Sequence, residues 1–337
     1  MSITEKEFKS KLASLETEGR FFNPLGQEIA WDLCRTDGLH RLLLGGTGWG
    51  KTFIVQTVME ILGKNVVAVN AHPGMDIRDL VGQWRPEALE AGGVTIRWED
   101  GTFTDAVRKG MTFMLEEATR APQEFMSRMY GVMDSAGAYW SLPENGEASV
   151  PIGDGFSVVA TANPPGKGYL AQNLDKAFLR RFKWVRNIDE PLADEEKTLR
   201  YILGDGVDAV DRAKRFYTWV DDAREAADTN INTGDLAAVA EMTMRGFTPM
   251  QAIEFTVTPK YAGSASALLT GGRAHFGNTA SNKVLMGNSG MFPNNSTTAP
   301  APTPQAAAPN ANVAAATIAG MSTDEILAAI SGIKPAE

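Results

Sequence analysis

Short apolar runs alternate with stretches of helical periodicity over the first 190 residues of the chain. The runs that predict buried strands are 41–44, 66–70, 112–115, 157–162 and 183–188. Between them, apolar residues recur three and four positions apart, which predicts helices. The helices are clearest at 51–62, 121–134 and 174–181. Strands that alternate with helices are typical of an α/β fold, so we expect a parallel sheet sandwiched by helices.

Two segments rich in aromatic and polar residues interrupt this alternation. The first contains 94–98 and has its candidate tip at 87–93, and the second runs from 138 to 150 through a turn at 143–146. Aromatic residues that alternate with polar ones around glycine turns predict two inserted hairpins.

Beyond residue 190 the strand signal stops and helical periodicity remains. Helices are predicted at 194–203, 207–226, 234–245 and 249–256, with Pro, Gly and Asp between them. The domain organisation that we expect is an N-terminal amphipathic helix at 1–20, an α/β core at 21–190 and a small all-α lid at 191–261.

The C-terminal part differs in composition. The change begins near residue 262, and 277–321 is dominated by Ala, Asn, Pro, Thr and Ser. Such a segment buries too little apolar surface to offset its ordering entropy, so 262–321 is predicted to be a flexible, disordered linker. Residues 322–337 begin with a capping-box pattern, S-T-D-E, and then place Ile326, Leu327, Ile330 and Ile333 on one helical face. A short docking helix is expected there; the alternative is a frayed tail with accidental spacing.

Composition narrows the class of protein. The chain has 337 residues, 43% of them hydrophobic and 22% charged, with a formal net charge of −9. No apolar run approaches the ~18 residues of a membrane span, and the acidic start does not resemble a secretory signal. The lone cysteine, Cys34, fits a reducing cytoplasm, and with three scattered histidines it is too little for a zinc centre. The acidic charge argues against duplex DNA and favours proteins as partners.

A glycine-rich pattern directly follows the first predicted strand. Residues 45–52 read G-G-T-G-W-G-K-T, which is G-x-x-x-x-G-K-T. A buried strand, a glycine loop and a helix in this order surround the phosphates of a nucleotide with backbone N–H groups. Lys51 is expected to reach the β- and γ-phosphates, and Thr52 to offer its hydroxyl to Mg²⁺. The candidate ATP-binding residues are Gly45, Gly46, Thr47, Gly48, Trp49, Gly50, Lys51, Thr52 and Phe53. Trp49 stands at a variable position and is expected to pack beside the site.

A pair of carboxylates ends the third predicted strand. The apolar run up to Leu115 is followed by Glu116 and Glu117. Hydrolysis of ATP requires an acid that orders Mg²⁺ and a carboxylate that polarises the attacking water, and we assign these roles to Glu116 and Glu117 respectively. The alternative is an acidic pair at the start of a helix, because Ala121 and Pro122 follow closely.

Several ordered blocks resemble one known family. Residues 116–122, E-E-A-T-R-A-P, resemble the D-E-x-x-R-A-P segment of the MoxR-type AAA+ ATPases, in particular the CbbQ, NorQ and GvpN group, which is related to the dynein and midasin modules. Three further blocks agree in order and spacing: D-L-V-G at 79–82 with W-E-D-G at 98–101, F-S-V-V-A-T-A-N-P at 156–164, and L-D-K-A-F-L-R-R-F at 174–182. The resemblance extends over about 22–257 and implies an AAA+ core followed by a lid.

The resemblance also implies roles for residues outside the phosphate loop. Asn163 resembles sensor 1, an amide that holds the attacking water; on its own, Asn163 before Pro164 predicts only a turn after a strand. Arg181 resembles the arginine finger that acts on a neighbouring subunit, with Arg180 as the alternate. The alternative for both is a pair of surface arginines that close a helix. Arg120 is a weaker candidate for a contact across the subunit boundary.

Two positions depart from the family pattern. Glu116 stands where the family has Asp, which places the Mg²⁺ acid one methylene further out and favours slow hydrolysis. Gly234 stands where the lid usually carries the sensor 2 arginine. No cation from that position then reaches the nucleotide of the same chain, which predicts weaker coupling of the lid to the nucleotide.

The resemblance implies an ATP-hydrolysing ring, typically a hexamer, that remodels or activates a protein client and works with a von Willebrand factor A-domain partner. Two alternatives remain. A DNA-directed AAA+ motor needs basic hairpin tips, whereas the tips at 87–93 and 143–148 are acidic or neutral. A nucleotide-gated scaffold that does not hydrolyse ATP agrees with Glu116 and the missing arginine. Turnover stimulated by DNA would indicate the DNA-directed motor, and turnover stimulated by a partner protein would indicate the remodelling ring. Absence of turnover would identify the scaffold.

Overall fold

A parallel sheet of five strands forms the centre of the computed structural model, which describes residues 3–88, 93–134, 137–163, 176–204, 206–227 and 229–277. The strands are β1 Arg41–Gly45, β2 Val66–Asn70, β3 Gly82–Ala88, β4 Val94–Asp100, β5 Thr112–Glu116, β6 Trp140–Leu142, β7 Glu147–Val150, β8 Ser157–Ala162 and β9 Trp184–Ile188. The helices are α1 Glu5–Glu16, α2 Pro24–Arg35, α3 Lys51–Leu62, α4 Ile77–Val81, α5 Thr102–Lys109, α6 Gln123–Val132, α7 Lys176–Leu179, α8 Glu195–Leu203, α9 Val207–Ala227, α10 Thr233–Met244, α11 Pro249–Thr256 and α12 Ala265–Phe276.

The strand order of the central sheet is β2-β5-β8-β1-β9, and all pairs are parallel. The predicted α/β fold with a parallel sheet is therefore confirmed, and all five predicted strands are present with ends that differ by at most one residue. Because the strands are parallel, the carboxyl ends of β1, β5 and β8 meet at one edge of the sheet, where ligands bind in such folds.

Both faces of this sheet are covered by helices, as expected for parallel strands. Successive residues of β1 show the alternation: Leu42 packs into an apolar cluster with Phe103, Phe113 and Phe125, and Leu43 packs into a second cluster on the other face. The second cluster contains the apolar faces of α1, α2 and α3, including Phe8, Leu12, Ile29, Leu33, Ile54 and Val58. The N-terminal helix is thus part of the packed core.

Helix ends follow local signals. α3 has the predicted bounds, whereas α6 is shorter than the predicted 121–134. Pro122 is the N-cap, with φ −56° and ψ 135°. Proline disfavours the helical conformation in the residue before it, so Ala121 is kept out of the helix and α6 begins only after Pro122. α7 lies within the predicted helix 174–181, of which 174 and 175 lie outside the described residues.

The two predicted hairpins are present as β3–β4 and β6–β7. In the first hairpin, the cross-strand pairs Trp84–Trp98, Pro86–Ile96 and Ala88–Val94 lie on one face, which is therefore apolar. Ile96 and Val94 are 67% and 70% exposed. The indole N–H of Trp84 donates to the carbonyl oxygen of Glu144 at the tip of the second hairpin, at 3.0 Å. The two inserts therefore contact each other.

The helices α8 to α12 enclose a third apolar cluster around Phe216, Trp219 and Leu236. α12 belongs to this cluster: Leu268 is buried, and the Trp219 indole N–H donates to its carbonyl oxygen at 3.4 Å. The prediction of a flexible linker from residue 262 is therefore wrong for 262–276. Leu268, Leu269 and Phe276 supply an apolar face, and the polar composition of the following residues concealed it. The rest of the predicted linker, from residue 278, and the predicted C-terminal helix lie outside the described residues.

Residues 189–194, between β9 and α8, join the core to these helices and are called the hinge. The Leu192 N–H donates to the Trp49 carbonyl oxygen at 3.1 Å, and the Asn23 N–H donates to the Leu192 carbonyl oxygen at 3.0 Å. The hinge is thus bonded to the glycine-rich loop and to the segment before α2. In the part of the chain that the structure describes, no helix has the length and apolar character needed to cross a bilayer.

Candidate nucleotide-binding site

The glycine-rich loop connects β1 to α3 at the carboxyl edge of the sheet. Gly48 adopts the left-handed conformation, with φ +77°, and a Cβ at this position would lie 2.5 Å from the Cβ of Asn232. Gly46 packs as closely against the ring of Trp49. Side chains at 46 and 48 would therefore collide with neighbours, which explains why the loop needs glycine there.

Lys51, the first residue of α3, points back over the loop. Its side chain is 9% exposed, and its Nζ donates to the carbonyl oxygens of Gly45 at 2.8 Å and Gly46 at 2.7 Å and to Oδ1 of Asn163 at 3.1 Å. Burial lowers the pKa of Lys51 to about 8, against an opposing effect of the nearby Glu117 carboxylate. An anion placed on the loop would stabilise this ammonium group.

Thr52 and Glu116 meet across the sheet edge. The Thr52 hydroxyl donates to Oε2 of Glu116 at 2.8 Å. The longer side chain of Glu116 therefore reaches the hydroxyl directly. A hydroxyl and a carboxylate form the hard-oxygen pair that Mg²⁺ prefers beside substrate phosphates. Among the described residues no group of three or more His, Cys, Asp or Glu side chains could hold a metal, so a metal at this place would need phosphate oxygens and water to complete its shell.

Glu117 has an unusual backbone. With φ 51° and ψ 42° it is in the left-handed region, and it is the sole residue other than glycine with positive φ among those described. Such a conformation costs about 1–3 kcal/mol and is commonly found at functional sites. The carboxylate forms an ion pair with Arg120 of the same turn.

These side chains line one cavity of about 410 Å³. The contributors from the core are Thr47, Gly48, Gly50, Lys51, Thr52, Phe53, Gln56, Glu116, Glu117, Thr161, Ala162 and Asn163. Asn232 and Gly234 of the helical part complete the wall. Asn232 caps α10, and its side chain accepts from the Asp235 N–H. The start of α10 therefore faces the loop, with Gly234 at the place where the resemblance puts the sensor 2 arginine.

A buried ion pair holds the start of α10. Glu195, 5% exposed, accepts from both Nη atoms of Arg224 at 2.8 Å and from the Thr233 hydroxyl at 2.8 Å. Arg224 also donates to the Ile231 carbonyl oxygen. Asn232, Glu195 and Arg224 were not among the residues predicted from the sequence; the capping pattern N-T-G-D at 232–235 is the signal that points to Asn232.

Trp49 and Phe53 lie on different sides of the loop. Trp49 packs against the second apolar cluster and lines another cavity of about 530 Å³ with Asn23, Pro191 and Arg224. Phe53 is 39% exposed at the phosphate-side cavity, and its ring lies 5.5 Å from that of Phe22. Trp49 does not line the cavity that Lys51 and Thr52 share, and its place beside a bound nucleotide stays a prediction.

The two candidate arginines lie away from this cavity. Arg180 is exposed. Arg181 is held within the chain: its Nη1 donates to the Ala177 carbonyl oxygen at 3.1 Å and its guanidinium lies 5.2 Å from the ring centre of Tyr130. Its buried Nε has no hydrogen-bond partner in the described part of the chain. The structure thus brings Lys51, Thr52, Glu116, Glu117 and Asn163 together and leaves the arginines outside.

A strand, a glycine-rich loop and a helix with Lys51 and Thr52 at its start, with carboxylates at the end of β5, two strands away in the sheet, define a P-loop nucleotide-binding protein. Residues 40–182 match the AAA domain (dynein-related subfamily).

Three curated proteins are similar over longer stretches. Protein NorQ of Paracoccus denitrificans is 29% identical over 56% of this chain and 70% of its own length. The denitrification regulatory protein NirQ of Pseudomonas aeruginosa is 30% identical over 58% of this chain and 71% of its own length. Protein CbbQ of Hydrogenophilus thermoluteolus is 26% identical over 70% of this chain and 86% of its own length. The chain belongs to the MoxR-type AAA+ ATPases.

Proposed function

We propose that this chain hydrolyses ATP with Mg²⁺ in a ring of identical copies, hexameric as the family resemblance implies, and uses the energy to remodel or activate a protein partner. The observation that carries the proposal is the meeting of Lys51, Thr52, Glu116, Glu117 and Asn163 on one cavity. These groups supply a cation, a metal site, a base and a water-positioning amide.

The reaction follows from their placement. The triphosphate lies on the loop, and Lys51 exchanges its carbonyl partners for the β- and γ-phosphate oxygens. Thr52 and Glu116 would hold Mg²⁺, which would neutralise charge at the phosphates when bound. Asn163 orients the water, whose proton passes to the Glu117 carboxylate as its oxygen bonds to the γ-phosphorus. The bond from the γ-phosphorus to the bridging oxygen breaks, which gives ADP and phosphate.

Phosphoryl transfer at this cavity calls for a second cation besides Lys51. Of the described residues that line it, Lys51 alone is a cation. The charge that develops in phosphoryl transfer commonly requires a further guanidinium. Arg181 suits this role better than Arg180, because the ring of Tyr130 holds its guanidinium in place while its side chain stays partly exposed. We propose that Arg181 acts on the nucleotide of the neighbouring copy. If every site is completed in this way, the copies form a closed ring.

The hairpins are the proposed place of contact with the partner. The apolar face of β3–β4 leaves Ile96 and Val94 largely exposed, which is typical of protein-binding surfaces. Its arginines, Arg85 and Arg97, are paired with Glu99 and Glu87, which disfavours DNA. A von Willebrand factor A-domain protein is the partner class that the family resemblance suggests.

Steady-state ATP turnover by the full chain, with Mg²⁺, tests this function. We expect turnover by the wild type, and loss of turnover with retained ATP binding in Glu117→Gln and Arg181→Ala. Glu124→Gln, an exposed carboxylate of α6, is the control for Glu117→Gln. ATP binding without turnover in the wild type, alone and with a candidate partner, would overturn the motor and leave a nucleotide-gated scaffold.

A further inference from the structure

Arg181 lies against the C-terminal half of α6 and the residues that directly follow it. Its guanidinium lies 5.2 Å from the ring centre of Tyr130, and its Nη2 is 3.9 Å from Oδ2 of Asp134. The second separation is too long for a hydrogen bond but short enough for attraction between the charges. The ring and the carboxylate, together with the hydrogen bond from Nη1 to the Ala177 carbonyl oxygen, fix where the guanidinium lies, and the side chain stays partly exposed.

The same ring is held by the turn that carries Arg181. Tyr130 packs against Phe178 at 6.2 Å between ring centres, and Phe178 packs against Phe182 at 4.7 Å. Phe178 is 2% exposed. The residues on either side of Arg180 and Arg181 are therefore anchored in the core, and Tyr130 is part of that anchor.

α6 is in turn attached to the second hairpin. The Tyr139 N–H, just before β6, donates to the Gly131 carbonyl oxygen at 3.0 Å. Glu144, at the hairpin tip, forms an ion pair with Arg128. One helix therefore contacts both the hairpin and Arg181.

We propose that Tyr130 is a positioning residue for Arg181: its ring face orients the guanidinium that completes the site of the neighbouring copy. The inference rests on the proposed function, in which Arg181 acts in trans. Loss of a cation–π contact of this kind is expected to reduce the rate roughly three- to tenfold. Substrate affinity stays unchanged, because Tyr130 does not line the cavity of its own chain.

A subunit-mixing assay tests the proposal. Arg181→Ala chains keep their own acids but lack the guanidinium, whereas Glu117→Gln chains lack the base but still donate Arg181. We expect a mixture of the two to recover turnover that neither has alone. Tyr130→Leu placed in the Glu117→Gln chain should then lower the recovered kcat three- to tenfold with KM unchanged. Tyr130→Phe in that chain, which keeps the ring, should retain at least half of it.

Comparing Tyr130→Leu in the two kinds of chain distinguishes a positioning role from a general loss of stability. Tyr130→Leu in the Arg181→Ala chain, which has no guanidinium to orient, should leave the recovered turnover unchanged. An equal loss with Tyr130→Leu in either chain, or no loss in the donating chain, overturns the positioning role. Full turnover of Arg181→Ala alone, or no recovery on mixing, instead overturns the trans role in the proposed function, and this inference falls with it.

Discussion

Gly48 of the phosphate loop lies against Asn232, the residue that caps α10, so closely that a Cβ at Gly48 would stand 2.5 Å from the Cβ and Cγ of Asn232. The glycine-rich loop and the start of α10 in the C-terminal helical part are thus in direct contact. This contact supplies the first prediction.

Gly48→Ala is expected to weaken ATP binding at least roughly tenfold, which corresponds to about 1.4 kcal/mol. The new methyl group displaces Asn232 and with it the start of α10. Gly38→Ala is the matched control, since Gly38 has φ +81° and a Cβ there would meet nothing within 4 Å. Both variants carry the left-handed strain of about 1–2 kcal/mol. Titration with a fluorescent ATP analogue should separate them; equal affinities would refute the role of the contact.

The ionisation of Lys51 should appear as proton uptake on ATP binding. Burial lowers its pKa to about 8 in the structure, and phosphate oxygens favour the charged form and raise that pKa. Above pH 8 the neutral amine therefore takes up a proton when ATP binds, about 0.9 proton at pH 9, whereas below pH 7 it is already charged. Calorimetry in two buffers of different ionisation enthalpy measures this. Lys51→Arg, which stays charged, should abolish the uptake; unchanged uptake in that variant would assign it to another group.

Glu116→Ala is expected to raise the Mg²⁺ concentration needed for half-maximal turnover at least roughly tenfold. The substitution removes the carboxylate that Thr52 contacts at 2.8 Å. Thermal unfolding should change little without nucleotide, since Glu116 is only partly buried. The measurement is turnover against Mg²⁺ at saturating ATP, and Glu124→Ala is the control. An unchanged Mg²⁺ dependence would place the metal elsewhere.

The Glu195–Arg224 pair should be costly to break from one side. Arg224→Met leaves Glu195 buried without its partner and is expected to lower the free energy of unfolding by about 3–5 kcal/mol. The double variant with Glu195→Leu should recover part of the loss. Arg215→Met, which breaks the exposed pair with Asp211, should cost less than about 1 kcal/mol. Urea denaturation of the four proteins provides the comparison, and equal losses for Arg224→Met and Arg215→Met would show that burial does not matter here.

Local signals were sufficient for much of the fold. The strand before Gly45 and the helix from Lys51 are encoded by consecutive residues, and the paired carboxylates follow an apolar run that can be read directly. Contacts between distant segments could not be predicted in this way. The Gly48–Asn232 contact and the pairing of Glu195 with Arg224, 29 residues apart, exist only after the helices pack.

The sequence misled the prediction at α12 and carried no signal for the backbone conformation of Glu117. α12 escaped prediction because its apolar residues, such as Leu268 and Phe276, precede a long polar segment that dominates the average. The left-handed backbone of Glu117 has no sequence signal, since glutamate seldom adopts it. The position of Arg181 against Tyr130 likewise depends on the packing of α6 beside the turn after α7.

The bonds of the hinge have a thermodynamic consequence. Leu192 is hydrogen-bonded both to the phosphate loop, through Trp49, and to the segment before α2, through Asn23. A ligand that shifts the loop therefore also changes the free energy of the hinge conformation. A protein that binds the helices beyond the hinge changes the free energy of the loop conformation in the same way. Linkage makes these two effects equal in free energy. If the nucleotide changes the affinity for a partner that binds these helices by some factor, the partner changes the affinity for the nucleotide by the same factor.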